Sequence, residues 1–263
     1  MLHNKQYQPQ YPLDAICFDC DNTLSLTEGI DELALLNGVR PQVKALTELA
    51  MGHDDISPDL YRKRLELTQP TQSQFDILTS LYLQNIPDDL QTVVDIFLSL
   101  GKALFVLSAG NDPAVSSFAA QLGFPASNVF AVSVYFDNNG DYLDFDRHNP
   151  MTKRAGKSII IQKIKKRFPH ILHIGDGNND LAVLPYVDRF IGYGGGVIRD
   201  SIKQASHAYI ECPSFLPLLP LALHHDEIAT LSEEQHQAYQ QGLNLFADHV
   251  ALSSTTNPRE SNQ

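Results

Sequence analysis

Residues 15 to 26 read AICFDCDNTLSL. The four apolar residues Ala15, Ile16, Cys17 and Phe18 follow the turn-like YPLD, and so brief an apolar run fits a buried strand better than a helix. Asp19 and Asp21 then stand at the strand's carboxyl end. In open parallel α/β sheets that edge is where ligands bind, and two neighbouring carboxylates repel each other unless a cation or a shared proton stabilises them. The stretch reads as half of a metal site.

Outward from this strand, helical and strand patterns alternate, as in a doubly wound sheet, except that residues 25 to about 85 are helical throughout. EGIDELALLNG spaces Ile30, Leu33, Ala34 and Leu36 or Asn37 as a helix stopped by Gly38. PQVKALTELAMG runs to Gly52, and SPDLYRKRLELTQP opens with a Ser57 cap and Pro58 in the first turn. The expected fold is therefore α/β, a Rossmann-like doubly wound parallel sheet interrupted by an inserted helical cap. Residues 1–24 and 86–223 would form the catalytic core and 25–85 the cap. After residue 88 come helix DDLQTVVDIFLSL, strand KALFVLS, helix PAVSSFAAQLG and strand NVFAVSVYF. Asn139-Gly140 marks a hairpin. The basic helix GKSIIIQKIKKRF leads to strand HILHIG, with RFIGYG and HAYIEC as the last strands expected. Residues 224–263 are assigned to a C-terminal helix and a disordered tail. Ser232 and Gln235 make a capping box, and Tyr239, Leu243, Phe246 and Val250 share one face, which either docks on the core or pairs two subunits in a homodimer.

With 263 residues the chain can bury a sizeable core. A formal charge of -12 argues against nucleic acid or an anionic membrane as partner. Three cysteines and a polar amino terminus point to a reducing cytoplasm, and no run is long enough to span a membrane.

Four stations fall just after a strand or at the start of a helix: Asp19 to Thr23, Ser108 with Ala109 and Gly110, Lys157, and GDGNND with Asp176 and Asp180. In a parallel sheet they converge on one edge and form a metal-assisted phosphate site. Asp19 with Asp176 supplies the hard oxygen set that Mg2+ prefers. Asp19 can attack phosphorus as a carboxylate nucleophile, and Asp21 can protonate the leaving oxygen and later deprotonate water. Lys157, Ser108 and nearby backbone amides would balance the charge of the phosphoryl oxygens. Each feature alone has an ordinary explanation: Ser108 as a turn residue, Lys157 as a solvated charge, GDGNND as an Asn-Gly turn lacking the bidentate Glu of a calcium loop. Their joint order and spacing carry the reading.

These residues resemble the haloacid dehalogenase superfamily of phosphohydrolases, and within it the phosphoserine phosphatase branch. The likeness spans about residues 14 to 223, through DAICFDCDNT, EGIDELA, RLELTQP, IGDGNNDLAVLP and FIGYGGGVIRD. The resemblance implies a cap of the C1 type and Mg2+ held by Asp19, Asp176 and the Asp21 carbonyl, with Asp180 in support. It places Ser108, Ala109, Gly110, Lys157 and Asn179 at phosphate and Met51 beside substrate. Glu28 would take the substrate ammonium and Arg64 its carboxylate, a role in which a bidentate guanidinium has no equal in lysine. The implied reaction is hydrolysis of O-phosphoserine to serine and phosphate, the end of serine biosynthesis. The chain departs from the pattern at Ala109 and Asn111, where Gly and an aromatic are usual, and at Ile56-Ser57, where the cap usually carries Pro-Phe. Another small phospho-metabolite, a phosphotransferase reaction, or a non-catalytic binding protein retaining the fold are the competing readings. Cys17 and Cys20 lack partners for zinc, His224-His225 reads as solvated, and YGGGV is too short for a dinucleotide loop.

Overall fold

The computed structural model describes residues 7–51 and 57–253, with backbone alone for 47–51. Strand β1 (Ala15–Phe18) is buried along its whole length, as a strand flanked on both sides by parallel neighbours must be. Four helices follow without an intervening strand: α1 (Gly29–Leu36), α2 (Arg40–Met51), α3 (Pro58–Thr68) and α4 (Gln72–Gln84). Ser57 caps α3 by accepting from Leu60 N at 3.2 Å, with Pro58 at its first turn. Leu33 and Ala34 are the buried face of α1, while Leu36 is exposed and Asn37 instead bonds Gln74 of α4.

The alternation resumes with α5 (Leu90–Ser99), β2 (Ala103–Asp112), α6 (Ala114–Gln121), β3 (Val129–Phe136) and β4 (Tyr142–Phe145). It continues through α7 (Gly156–Ile164), β5 (Ile171–Gly175), β6 (Arg189–Tyr193), α8 (Asp200–Ala205) and β7 (Ala208–Ile210). The chain closes with α9 (Leu218–Ala222), α10 (His225–Ile228), α11 (Glu233–His249) and β8 (Val250–Leu252). Among the described residues one sheet runs in the order β4-β3-β2-β1-β5-β6-β7-β8. The six inner strands are parallel, and β4 and β8 are antiparallel edges. Chain order reverses on either side of β1, which has β2 and β5 as neighbours, so the crevice beyond its carboxyl end is the topological switch point.

Two expectations change. Val250 does not extend the apolar face of α11; it begins β8, which pairs with β7 in the register Ile210 to Val250 and covers an otherwise open edge. The helix itself docks on the core of its own chain: Tyr239 and Phe246 are buried, and Gly242 lies against the Leu216 carbonyl. His224, read as solvated, is buried and caps α10, whereas His225 is exposed. The expected tail beyond Ser253, like Gly52 and Ile56 of the helical segment, lies outside the described residues. No described helix is long and apolar enough to cross a membrane.

Candidate active site

Register places the first carboxylates. Phe18 pairs with Ile174 and the Asp19 amide donates to the Ile174 carbonyl at 2.9 Å, so Asp19 and Asp176 emerge side by side from β1 and β5. Ligand oxygens of Asp19, Asp176 and Asp180 all lie within 4.8 Å of one another, and all three residues are buried. Lys157, at the second position of α7, reaches in from the neighbouring helix to Asp19 Oδ1 at 2.8 Å and Asp180 Oδ1 at 2.6 Å. Asp180 is further tied to His173 Nε2 at 2.6 Å and to the Gly177 amide at 3.0 Å.

Burial raises the Asp19 carboxyl well above the usual range, and Asp180 and Asp176 push the same way against the pull of Lys157. Burial likewise lifts Asp176 to about 6, opposed by Arg199. Burial would raise Asp180 too, but Lys157 and the His173 hydrogen bond outweigh it and hold that carboxyl below its ordinary value. His173 is itself shifted down by burial. Asp19, Asp21, Asp176 and Asp180 thus face two cations, Lys157 and Arg199, whose guanidinium reaches Asp176 Oδ2 at 3.0 Å. An all-oxygen set with surplus negative charge fits a hard divalent cation.

Asp21 is oriented differently. Its Oδ1 accepts from the Gly29 amide at 2.7 Å and from the Tyr82 hydroxyl at 2.8 Å, while Ser108 Oγ lies 3.4 Å from Oδ2. Burial raises this carboxyl as well. Ser108 falls where β2 slips register between Leu107 and Asn111, and its fully buried Oγ accepts from the Gly110 amide at 2.8 Å. A Cβ at Gly110 would lie 2.7 Å from Asp21 Oδ2, so the close approach requires glycine there.

Above this floor is a cavity of about 810 Å³. Asp19, Asp21, Ala109, Gly110, Asp176 and Asn179 line its base, and Glu28 and Arg64 its upper wall. Glu28, at the N-cap of α1, accepts from Asn22 Nδ2 at 2.8 Å, and its carboxyl is pushed up to about 8 by burial and by Asp21 and Asp176, with Arg64 opposing. Arg64 Nε is buried without a hydrogen-bond partner. The ordinary ion pairing along this helix belongs instead to Arg62, with Asp59 at i, i+3 and Glu66 at i, i+4, and to Lys63 with Asp59. Ser108, Lys157 and Asp180 stand behind the wall, and the Met51 side chain lies outside the described residues.

The sequence reading did not single out Tyr61, Tyr82, His173 or Arg199. Asn111 Nδ2 donates to the Tyr61 hydroxyl at 2.5 Å, a buried bond joining α3 to β2 beneath the Arg64 guanidinium, which lies 5.7 Å from the Tyr61 ring. Arg199 and His173 each had a signal, a lone cation after a glycine run and a polar residue inside an apolar strand. The two tyrosines had none, since an aromatic on a helix reads as core.

The family model for haloacid dehalogenase-like hydrolases matches residues 13–188, and the chain belongs to that family. Within it, the chain is similar to phosphoserine phosphatases. The Homo sapiens enzyme is 35% identical over 210 residues, covering 79% of this chain and 93% of the relative. That of Mus musculus is 37% identical over 199 residues, covering 75% and 88%. The chloroplastic phosphoserine phosphatase of Arabidopsis thaliana is 31% identical over 198 residues, covering 72% and 66%. The fold matches that of a phosphoserine phosphatase solved as a phospho-aspartyl intermediate analogue, with a TM-score of 0.69 at 24% identity over 80% of this chain and 98% of that one.

Proposed function

We propose that this chain is a Mg2+-dependent phosphomonoesterase that hydrolyses O-phosphoserine to serine and phosphate through an aspartyl-phosphate on Asp19. The observation that carries the reading is the pairing of Arg64, whose buried Nε lacks a partner, with Glu28 in the wall of a cavity floored by carboxylates. A ligand with a carboxylate and an ammonium above a phosphate satisfies both walls at once. The kinship with phosphoserine phosphatases supports the same substrate, and with it a place at the end of serine synthesis. The reading takes residues 25–85 as a cap on a core of 1–24 and 86–223.

Asp19 Oδ1 is engaged by the Cys20 amide at 2.7 Å and by Lys157, which leaves Oδ2 as the attacking oxygen. Oδ2 bonds to phosphorus as the bond from phosphorus to the serine oxygen breaks, and Asp21 gives its proton to that oxygen. Water then attacks the aspartyl-phosphate, its proton passing to Asp21, and phosphate leaves with Asp19 restored. Lys157 draws Asp19 toward its ionised form against the effect of burial, and the Ala109 amide and the Asn179 side chain would donate hydrogen bonds to the phosphoryl oxygens, while the Gly110 amide holds Ser108 Oγ in place. Asp19, Asp176 and the Asp21 carbonyl would hold Mg2+, which supplies charge neutralisation at the phosphoryl group.

A second reading has one observation behind it. The cavity lies toward the large end of the roughly 300–1,000 Å³ typical of small-molecule sites, so a bulkier phosphoester fits the space. Phosphate release with Mg2+ across O-phospho-L-serine, phosphothreonine, phosphoethanolamine and sugar phosphates separates the two. O-phosphoserine is expected to lead in kcat/KM, Asp19→Asn to abolish release from all, and Arg64→Ala to cost roughly 10- to 100-fold on O-phosphoserine, the worth of a charged hydrogen bond. A different ester leading, with Arg64→Ala affecting every ester alike, would establish the second reading instead. A new phosphoester formed on adding alcohols would show transfer in place of hydrolysis.

A further inference from the structure

Tyr82 lies in α4, far along the chain from Asp21, yet its hydroxyl donates to Asp21 Oδ1 at 2.8 Å. Its ring is fully buried and tilts against Phe118 of α6 at 5.3 Å, so the hydroxyl is presented from a packed base. The approach depends on Gly29: a Cβ there would stand 2.2 Å from the Tyr82 oxygen and 3.1 Å from Asp21 Oδ1. The Gly29 amide donates to that same Oδ1 at 2.7 Å, which therefore accepts two short hydrogen bonds, while Oδ2 accepts only the longer 3.4 Å contact from the Ser108 hydroxyl.

A carboxyl that serves as acid has two oxygens and one proton, and it works only when the proton is on the oxygen facing the leaving group. Two donors on Oδ1 exclude the proton from that oxygen and stop the group from rotating. We propose that Tyr82 is a positioning residue for proton transfer, fixing Asp21 so that Oδ2 alone carries the mobile proton. The proposal rests on Asp21 as the acid and base of the reading above. In the first step the Asp21 Oδ2–H bond breaks and the proton goes to the alkoxide oxygen as its bond to phosphorus breaks. In the second a water O–H bond breaks and that proton returns to Oδ2.

The test compares leaving groups. An alkyl phosphate needs a proton on departure, whereas p-nitrophenolate leaves without one. The constant kcat/KM reports transfer to Asp19 for both, and the alkyl ester used is the one the enzyme cleaves fastest. Tyr82→Phe is expected to lower kcat/KM for the alkyl ester roughly tenfold, the worth of one hydrogen bond to a charged or reacting group, and for p-nitrophenyl phosphate by less than about twofold on the same principle. Gly29→Ala, which displaces the tyrosine hydroxyl while keeping Tyr82, is expected to show the same selective loss. Equal losses on both esters, or none, in these variants would overturn the proposal. Asp21→Asn is the reference: if its own loss were the same on both esters, the acid and base assignment would fall, and if only Asp21→Asn were selective, the role of Tyr82 alone would fall.

Discussion

A single lysine decides how four acidic groups coexist. Lys157 is buried, and although burial opposes its charge, Asp180 and Asp19 more than compensate and hold its ammonium above the ordinary range. Removing one partner of a buried pair strands the others, at a cost of about 3–5 kcal/mol. Lys157→Met is therefore expected to lower the unfolding free energy of the metal-free protein by that much at neutral pH, read as an earlier urea midpoint, with a smaller loss when Mg2+ is present. A midpoint unchanged without metal would mean the carboxylates are neutral by protonation. At this scale much was legible: Asp19, Asp21 and Asp176 stand out because they follow strand ends, and Lys157 because it opens a helix. Arg199 offered only the weak signal of a cation after a glycine run, and nothing local to VIRD reveals that it bends back to Asp176.

At the level of elements, patterns shorter than about fifteen residues were readable wherever the signal is local. Ser57 and Pro58 announce α3, and Asn139-Gly140 announces the turn into β4, whose Gly140 takes φ +83°. Strand β8 was missed for the converse reason: a three-residue strand owes its existence to a partner, here β7, and its residues continue the apolar stripe of α11 without a break. The docking of α11 rests on a close backbone approach. A Cβ on Gly242 would lie 2.4 Å from the Leu216 carbonyl oxygen, which has no flexible side chain to give way. Gly242→Ala is expected to destabilise the protein by about 1–3 kcal/mol through overpacking, seen as an earlier denaturant midpoint with catalysis per folded molecule intact. A midpoint that did not move would show that α11 can lift from α9 at no cost.

Across the whole molecule the site's charges couple to stability. Glu28 ionises near its ordinary 4.5 in the unfolded chain but is pushed up to about 8 in the fold by burial and by Asp21 and Asp176. Between those values the folded state binds the extra proton, so stability is fully present below about 4.5 and falls as pH rises through 8. In chelator, the melting temperature is expected to decline from pH 7 to 8.5, above the range in which ordinary histidines titrate, and Glu28→Gln to flatten that slope. Mg2+ should raise the melting temperature more at pH 8.5 than at pH 7, since it favours the ionised site. A slope of opposite sign in the wild type, or one that survives Glu28→Gln, would show that other groups govern this window.

The amino-acid sequence by itself determined the strand before Asp19, the alternation, the helical insertion and the identity of the acidic, hydroxyl and lysine stations, because each is written in contiguous residues or in a fixed offset from a strand end. Tertiary structure alone decided what those stations face. Tyr82 comes to Asp21 across 61 positions, Asn111 meets Tyr61 across 50, and Asp19 and Asp176 share a floor only because β1 lies beside β5. Such encounters depend on strand order and helix packing, which bring distant residues within hydrogen-bond reach, and no local periodicity encodes the distance between them.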